Sequence, residues 1–203
     1  MVKIGRRGSL NGSVTIKGVQ GHVAYPDVAL NPIHAAMPAL SELVNTQWDN
    51  GNEAFPPTTF QISNVTAGTG AVNVIPEKIH VQFNFRFSPE LDAETIKRRC
   101  TDVFLKHAVD YDVEWTLSGN PFYTMPGKLT DVVSAAVNAV TGKLPELSTS
   151  GGTSDGRFIA SERTQVVELG PRNASIHKVN ENIEITELDK LSRVYLEVLK
   201  RLL

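Results

Sequence analysis

One segment near the middle of the chain alternates apolar and polar side chains without interruption. The apolar positions are Ile79, Val81, Phe83, Phe85 and Phe87, and the polar positions between them are His80, Gln82, Asn84 and Arg86. A repeat of two residues places successive side chains on opposite faces of a β-strand. The segment is therefore predicted to be a strand of an antiparallel sheet, with one face in a hydrophobic core and the other in water.

Helices and strands alternate around this strand in a regular order. Further strands are predicted at residues 13–17, around Phe60 and Ile62, and at residues 113–117. One helix begins with Asn31 as N-cap and Pro32 in its first turn, and a second covers residues 92–107. The order β-α-β-β-α-β closes a four-stranded antiparallel sheet with two helices on one face. We predict a ferredoxin-like module over residues 8–118, and hence a fold of the α+β class.

The remaining residues, 119–203, have a different character. A helix at about residues 129–141 ends at Gly142, and short strands are predicted at 147–149 and 165–169. A final helix is predicted to begin at Thr186, with Thr186 and Asp189 as its capping box. Two short strands are too few to cover both helices of an α/β layer. This segment is therefore predicted to be an incomplete part of a larger α/β domain.

Charge and cysteine content exclude several classes of protein. The 203 residues contain 20 Lys and Arg against 22 Asp and Glu, a formal charge of -2, so we expect no nucleic-acid partner. The one cysteine, Cys100, cannot form an internal disulfide, so a reducing compartment, the cytoplasm, is expected. Because no apolar run is long enough to span a bilayer, we expect no membrane segment.

The five histidines form no pair with the spacing of a local zinc site. His34 and His107 lie on helical stripes and His80 on the polar face of its strand, where a structural or exposed role is the ordinary interpretation. His22 is in a loop that begins with glycine, and His177 follows the strand predicted at residues 165–169, where α/β proteins commonly place ligands. These two histidines are the candidates for chemistry.

A glycine-rich loop and a short basic cluster are further candidates, each with an ordinary alternative. The loop at residues 151–156 could hold an anion at a helix start or simply connect two elements. It lacks the ending of a Walker loop. Lys3, Arg6 and Arg7 could be a solvated chain end or a clamp for a carboxylate. Arg86 projects from the polar face of its strand, where an arginine is usually just solvated.

Seven strings of the sequence together resemble one family. They are GRRGSL at residues 5–10, GVQGHVAYP at 18–26, NVIP at 73–76, FNFRF at 83–87, LSG at 117–119, GGTSDGRF at 151–158 and IHKVNE at 176–181. They occur in the order seen in bacterial succinyl-diaminopimelate desuccinylases, within the wider family of zinc aminoacylases and carboxypeptidases. The resemblance extends over essentially the whole chain.

The resemblance implies a catalytic α/β domain interrupted by a ferredoxin-like lid that also forms a homodimer. Residues 8–118 would be the lid, and residues 119–203 the C-terminal segment of the catalytic domain. The intact enzyme would use two zinc ions to hydrolyse N-succinyl-LL-2,6-diaminopimelate to succinate and LL-diaminopimelate, a step of lysine biosynthesis. The family's N-terminal portion, with four of the five zinc ligands and the general-base glutamate, has no counterpart here. We therefore expect one portion of a longer enzyme that alone neither binds zinc tightly nor turns over substrate.

The same resemblance implies roles for individual residues. His22 would stabilise the oxyanion in the active site of the partner subunit, and His177 would be the last zinc ligand. The positions that match substrate-binding residues are Arg6, Ser9, Tyr25, Asn73, Arg86, Gly152, Thr153 and Asn173. Val72 and Asp27 depart from the residues that many relatives have, so the contacts of the lid are expected to differ slightly.

Two other functions stay open at this point. The chain could belong to a related amidohydrolase acting on N-acetylornithine or a peptide, which shares the chemistry but matches these strings less closely. It could also be a non-catalytic ferredoxin-like dimerisation or ligand-sensing module. That alternative gives no reason for the strings at residues 151–158 and 176–181 to accompany the lid.

Overall fold

The computed structural model describes residues 1–161, 163–171 and 174–203. Within them, the strands are β1 (Val2–Lys3), β2 (Gly5–Arg6), β3 (Gly8–Lys17), β4 (Gly21–His22), β5 (Thr59–Ala67), β6 (Val74–Ile75), β7 (Lys78–Phe87), β8 (Tyr111–Gly119), β9 (Phe122–Tyr123) and β10 (Leu147–Ser148). The α-helices are α1 (Pro32–Asn45), α2 (Ala93–Lys106), α3 (Lys128–Thr141) and α4 (Ile185–Leu202). The chain divides into two compact units, Arg7–Pro121 and Met1–Arg6 with Phe122–Leu203. No helix in the described part of the chain has the length and apolarity needed to cross a membrane.

The unit Arg7–Pro121 is a four-stranded antiparallel sheet with strand order β5-β7-β3-β8, together with α1 and α2. The predicted α+β class and ferredoxin-like order of elements are confirmed. Asn31 Oδ1 accepts a hydrogen bond from Ile33 N at the start of α1, and Asp92 Oδ1 accepts one from Thr95 N at the start of α2. Both helices therefore begin where a side chain satisfies a free backbone donor.

Aromatic side chains of β7 form the centre of this unit's core. Phe83, Phe85 and Phe87 are at most 1% exposed, as the alternating pattern predicts. Gly12 of β3 lies opposite Phe83, and Gly8 opposite Phe87. A Cβ at either glycine would overlap the facing phenyl ring. These glycines thus leave the space that the rings occupy between neighbouring strands.

The unit Met1–Arg6 with Phe122–Leu203 joins the first residues of the chain to its last third. β1 pairs in parallel with β10, and β2 pairs antiparallel with β9. Val2, Ile4 and Val133 are the buried centre of a small core, against which Val198 of α4 packs. The first six residues are thus an integral part of this unit.

Two sequence predictions for this unit are wrong in detail. Residues 165–169 form no regular strand: only an isolated antiparallel bridge joins Glu168 to Lys3. The final helix begins at Ile185 after Glu184, with no side-chain cap, so the capping box predicted from Thr186 and Asp189 does not form. The Thr186 hydroxyl donates to the Glu184 carboxylate instead.

A carboxylate holds together the loop between α1 and β5. Asp49 accepts hydrogen bonds from the backbone N–H and hydroxyl of Thr58, the N–H of Gly51 and the hydroxyl of Ser88, at 2.5–3.0 Å. Burial alone would raise the pKa of this carboxyl. The hydrogen bonds outweigh it and hold the pKa below its ordinary value.

We expect Asp49→Asn to lower the free energy of unfolding at pH 7 by about 1–3 kcal/mol, because an amide cannot accept four hydrogen bonds as a carboxylate does. A folded-state pKa below the unfolded value stabilises the protein above the unfolded pKa, and the stabilisation is lost as pH falls through the folded pKa. The difference in the free energy of unfolding between Asp49→Asn and the wild type should therefore become smaller as the pH is lowered. Urea unfolding at pH 7 and pH 3 measures it, with the exposed Asp102→Asn as control. An equal difference in the free energy of unfolding at both pH values would contradict this explanation.

Candidate active site

We call the unit Arg7–Pro121 the lid, after the name that the resemblance gives to this module. Three of its predicted site residues lie close together because β4 pairs with β6. His22 is opposite Val74 in this pair, and the N–H of Val23 donates to the carbonyl of Asn73 at 3.1 Å. The rings of His22 and Tyr25 have centroids 5.7 Å apart. His22, Tyr25 and Asn73 are all exposed, so this corner of the lid presents an imidazole, a phenol and an amide to solvent.

His22 was predicted to lie in a loop, but it is the last residue of the short strand β4. The residues that follow this strand hold its imidazole in one tautomer. The N–H of Ala24 donates to His22 Nδ1 at 3.1 Å. In a neutral imidazole, the nitrogen that accepts a hydrogen bond carries no proton, so the proton is on Nε2. His22 therefore presents an N–H donor to solvent.

Ser9 and Arg86 face each other across β3 and β7. The Ser9 hydroxyl is buried and accepts a hydrogen bond from Asn84 Nδ2 at 3.1 Å. Arg7 lies close by: burial, and then the charge of Arg86, lowers the pKa of its guanidinium. The structure thus places two guanidinium groups at one end of the lid sheet, an environment that favours an anion.

In the other unit, Arg6 and the glycine-rich loop line one cavity of about 1130 Å³. Gly151, Gly152 and Ile176 are also among its lining residues. The Arg6 guanidinium pairs with Glu168, and its Nη1 donates to the carbonyl of Ser150 at 3.1 Å. The predicted helix start after the loop is wrong, since residues 155–158 form only a single 3₁₀ turn. Thr153 follows the two glycines and is half-buried.

His177 lies in a tight turn and directly follows Ile176, which lines this cavity. It is exposed, has a left-handed backbone with φ 60°, and its N–H donates to Glu181 Oε2 at 3.3 Å. Histidine is one of the non-glycine residues that are enriched in this backbone region. Asn173, another predicted site residue, lies outside the described residues. Among those described, no group of three or more His, Cys, Asp or Glu side chains could hold a metal ion.

The remaining histidines have ordinary contacts. His80 Nδ1 lies 2.8 Å from the hydroxyl of Thr15, and His107 Nε2 lies 2.7 Å from a carboxylate oxygen of Glu42. His34 is exposed on α1. Pattern reasoning from the sequence missed Glu168, because one glutamate in a short apolar segment carries no spacing signal.

Comparison with known proteins shows the family to which the chain belongs. The family model described as Peptidase dimerisation domain (M20) matches residues 4–112, more than half of the chain. The chain belongs to the M20 peptidase dimerisation domain family. The antiparallel lid of Arg7–Pro121 lies almost entirely within the matched residues.

Individual relatives of this M20 chain agree with the resemblance stated above. Succinyl-diaminopimelate desuccinylase of Nitrosospira multiformis is 58% identical over 203 residues, which are 100% of this chain and 54% of the relative. The Alkalilimnicola ehrlichii desuccinylase is 59% identical with the same coverage. The predicted resemblance to succinyl-diaminopimelate desuccinylases is confirmed, and the chain spans about half the length of the curated relatives it matches.

Solved structures share the fold of this M20 chain. A tripeptidase from Staphylococcus aureus has a TM-score of 0.81 at 25% identity, over 98% of this chain and 52% of its own. An M20 family metallo-carboxypeptidase from Sulfolobus solfataricus has a TM-score of 0.84 at 15% identity, over 100% of this chain and 60% of its own. The second likeness concerns the fold alone.

Proposed function

We propose that this chain is part of a zinc-dependent amidohydrolase that converts N-succinyl-LL-2,6-diaminopimelate to succinate and LL-diaminopimelate. The observation that carries the proposal is the identity of 58% to a succinyl-diaminopimelate desuccinylase across all 203 residues. We further propose a cytoplasmic location, where a lone buried cysteine such as Cys100 stays reduced.

His22 is the proposed catalytic donor. Hydrolysis of an amide passes through a tetrahedral intermediate with a negative oxygen, and a pre-oriented N–H donor stabilises it. The bond from Ala24 N to Nδ1 leaves the proton on Nε2 of an exposed ring, which suits this role. Following the resemblance, the donor serves the active site of the partner subunit in a homodimer.

His177 is the proposed zinc ligand of this chain. One imidazole does not make a zinc site, since structural and catalytic sites use three or four protein ligands, and no other cluster of ligands occurs in the described residues. In the proposal the other ligands, and the general base, come from a part of the enzyme outside these 203 residues. Two zinc ions, when bound, supply Lewis acidity and a water of lowered pKa.

The remaining residues would bind a substrate with several carboxylates. Arg6 and Arg86 supply guanidinium groups, which match carboxylates in shape and charge. Hydroxyls, amides and backbone N–H groups complete the proposed set of Ser9, Tyr25, Asn73, Gly152, Thr153 and Asn173.

The test is hydrolysis by the full gene product with zinc. N-succinyl-LL-2,6-diaminopimelate should be turned over far faster than N-acetylornithine or a tripeptide, and removal of zinc by a chelator should abolish the activity. The 203-residue chain alone should release no succinate and retain no stoichiometric zinc. Preference for acetylornithine would favour the related amidohydrolase, and an inactive full gene product would favour a non-catalytic dimerisation module.

The edge strand β5 is the proposed contact between the two lids. Both β5 and β8 are edges of the four-stranded sheet. β8 carries Asp112 and Glu114, so two copies meeting there would bring like charges together. β5 has the uncharged sequence TFQISNVTA, with Val65 57% exposed, and α1 packs beside it with Met37 60% exposed.

We expect light scattering at micromolar concentration to report twice the mass of the chain. Val65→Lys should shift the protein to monomer, because a lysine on an edge strand opposes strand pairing. Thr116→Lys, an equivalent change on β8, should leave the dimer intact. The reverse response of these two variants, or a monomeric wild type, would contradict the proposed contact.

A further inference from the structure

The carboxylate of Glu168 connects Arg6 to the glycine-rich loop. Its Oε2 accepts hydrogen bonds from Arg6 Nε at 2.8 Å and from Arg6 Nη2 at 2.5 Å. Its Oε1 accepts the hydroxyl hydrogen of Ser154. The side chains of Arg6 and Glu168 are only 17% and 22% exposed, so this pair is shielded from competing water more than a surface ion pair is.

The backbone on both sides of the pair is arranged to allow it. Glu168 exchanges two backbone hydrogen bonds of 2.8 Å with Lys3, which fixes its position beside the strand that leads to Arg6. A Cβ at Gly156 would lie 2.6 Å from Glu168 Oε1, and a Cβ at Gly151 would lie 2.6 Å from Arg6 Nη1. Gly151 also has φ 104°, which other residues rarely adopt. A side chain at either glycine would thus displace a member of the ion pair, and Gly151 is in addition favoured by its backbone conformation.

The contacts leave part of the guanidinium available. Arginine has five N–H donors. Glu168 takes two of them, and the carbonyl of Ser150 takes one from Nη1. Among the described partners, one N–H on each terminal nitrogen is left over, so the guanidinium still has two donors for a carboxylate. Arg6, Glu168, Gly151 and Gly152 line the same cavity.

We propose that Glu168 is a positioning residue that orients Arg6 and the loop at residues 151–154 for a carboxylate of the substrate. This inference rests on the function proposed above. Glu168 holds the Nε edge of the guanidinium of Arg6, a residue that lines the cavity, and Ser154 couples the loop to the same carboxylate. The substrate carboxylate then meets a guanidinium that has already lost its rotational freedom, which reduces the entropic cost of binding.

The first test is Glu168→Gln in the full gene product with zinc. An amide keeps the size of the side chain and can still accept from Ser154, but it loses the charge that holds Arg6. We expect KM for succinyl-diaminopimelate to rise about tenfold with kcat within about threefold, because the interaction is made equally in the ground and transition states. Arg6→Lys should have a similar effect, and the double variant should be no worse than either alone. Glu197→Gln, which removes a carboxylate on the surface of α4, should change neither constant.

A milder variant and a second readout keep the inference testable if Glu168→Gln folds poorly. Ser154→Ala removes one hydroxyl and should raise KM about threefold. Trypsin cleavage after Arg157, which follows the loop, should be faster in both variants than in the wild type. A lowered melting temperature with unchanged KM would mean that the ion pair only stabilises the fold, and would overturn the inference.

The same panel separates this inference from the proposed function. A wild-type gene product that does not hydrolyse the succinyl substrate contradicts the proposed function, and the trypsin measurement then decides whether Glu168 orders the loop. Unchanged cleavage in both variants overturns the inference. An active wild type with unchanged KM in both variants overturns it as well, and leaves the proposed function standing.

Discussion

Phe85→Ala is expected to lower the free energy of unfolding of the lid by about 3–5 kcal/mol, the range for removal of a buried phenyl ring. Phe85 is fully buried. Its ring lies 4.6 Å from that of Trp48 in an edge-to-face arrangement and 5.0 Å from that of Phe60. Alanine would remove both contacts, one to the loop after α1 and one to β5, and leave a cavity that the paired strands cannot close.

Urea unfolding followed by circular dichroism measures this loss. Leu105→Ala is the matched control, because Leu105 is on α2 of the same unit and is 66% exposed. Its expected effect is within about 0.5 kcal/mol. If the two substitutions cost the same, the aromatic cluster would not be the centre of the lid's stability.

The lid could be predicted from the sequence because each of its signals is local. The alternation around Phe83 fixes which face of β7 is buried, and the periodicities of α1 and α2 fix which side of each helix meets it. Asn31 and Asp92 mark the helix starts by residue type alone. The opposition of Gly12 and Phe83 follows from register, which the sequence does not state.

The other unit could be predicted only in part because its contacts join distant residues. Lys3 reaches Ser148, 145 positions later, and no periodicity connects the two. The segment containing Glu168 has the apolar residues of a strand, yet it bridges only to Lys3, since β1 is itself two residues long. Thr186 has the residue type of a helix cap, but it does not cap α4, because the helix already begins at Ile185.

In the candidate site, too, the sequence predicts which residues are candidates but not the contacts that orient them. The glycine, tyrosine and proline near His22 in the sequence, and the position of His177 after an apolar segment, single these two out from five histidines. The tautomer of His22 depends on a backbone N–H two residues away, at Ala24, and the orientation of Arg6 depends on Glu168. Such contacts follow from the path of the backbone, so a residue pattern cannot contain them.

The second large effect is expected for His22→Ala in the full gene product with zinc. If Nε2 donates to an oxyanion that exists only along the reaction path, its loss should lower kcat and kcat/KM together and leave KM nearly unchanged. One lost oxyanion donor typically reduces kcat by about 10²–10³. His34→Ala is the control, since His34 is exposed on α1 and lies outside the proposed site. A rise in KM with normal kcat would instead make His22 a substrate-binding residue.

A mixed dimer then decides which subunit the donor serves. One subunit carries His22→Ala and its partner carries His177→Ala. If His22 acts across the dimer, the subunit with an intact His177 receives an intact imidazole from its partner, and the other site has both lesions. The mixed dimer should then show about half of the wild-type activity. If His22 acts within its own subunit, each site has one lesion, and the activity should not exceed the average of the two parent dimers. Activity at that lower level would rule out a donor supplied by the partner, while the loss in the single His22→Ala variant would still support a donor to the oxyanion.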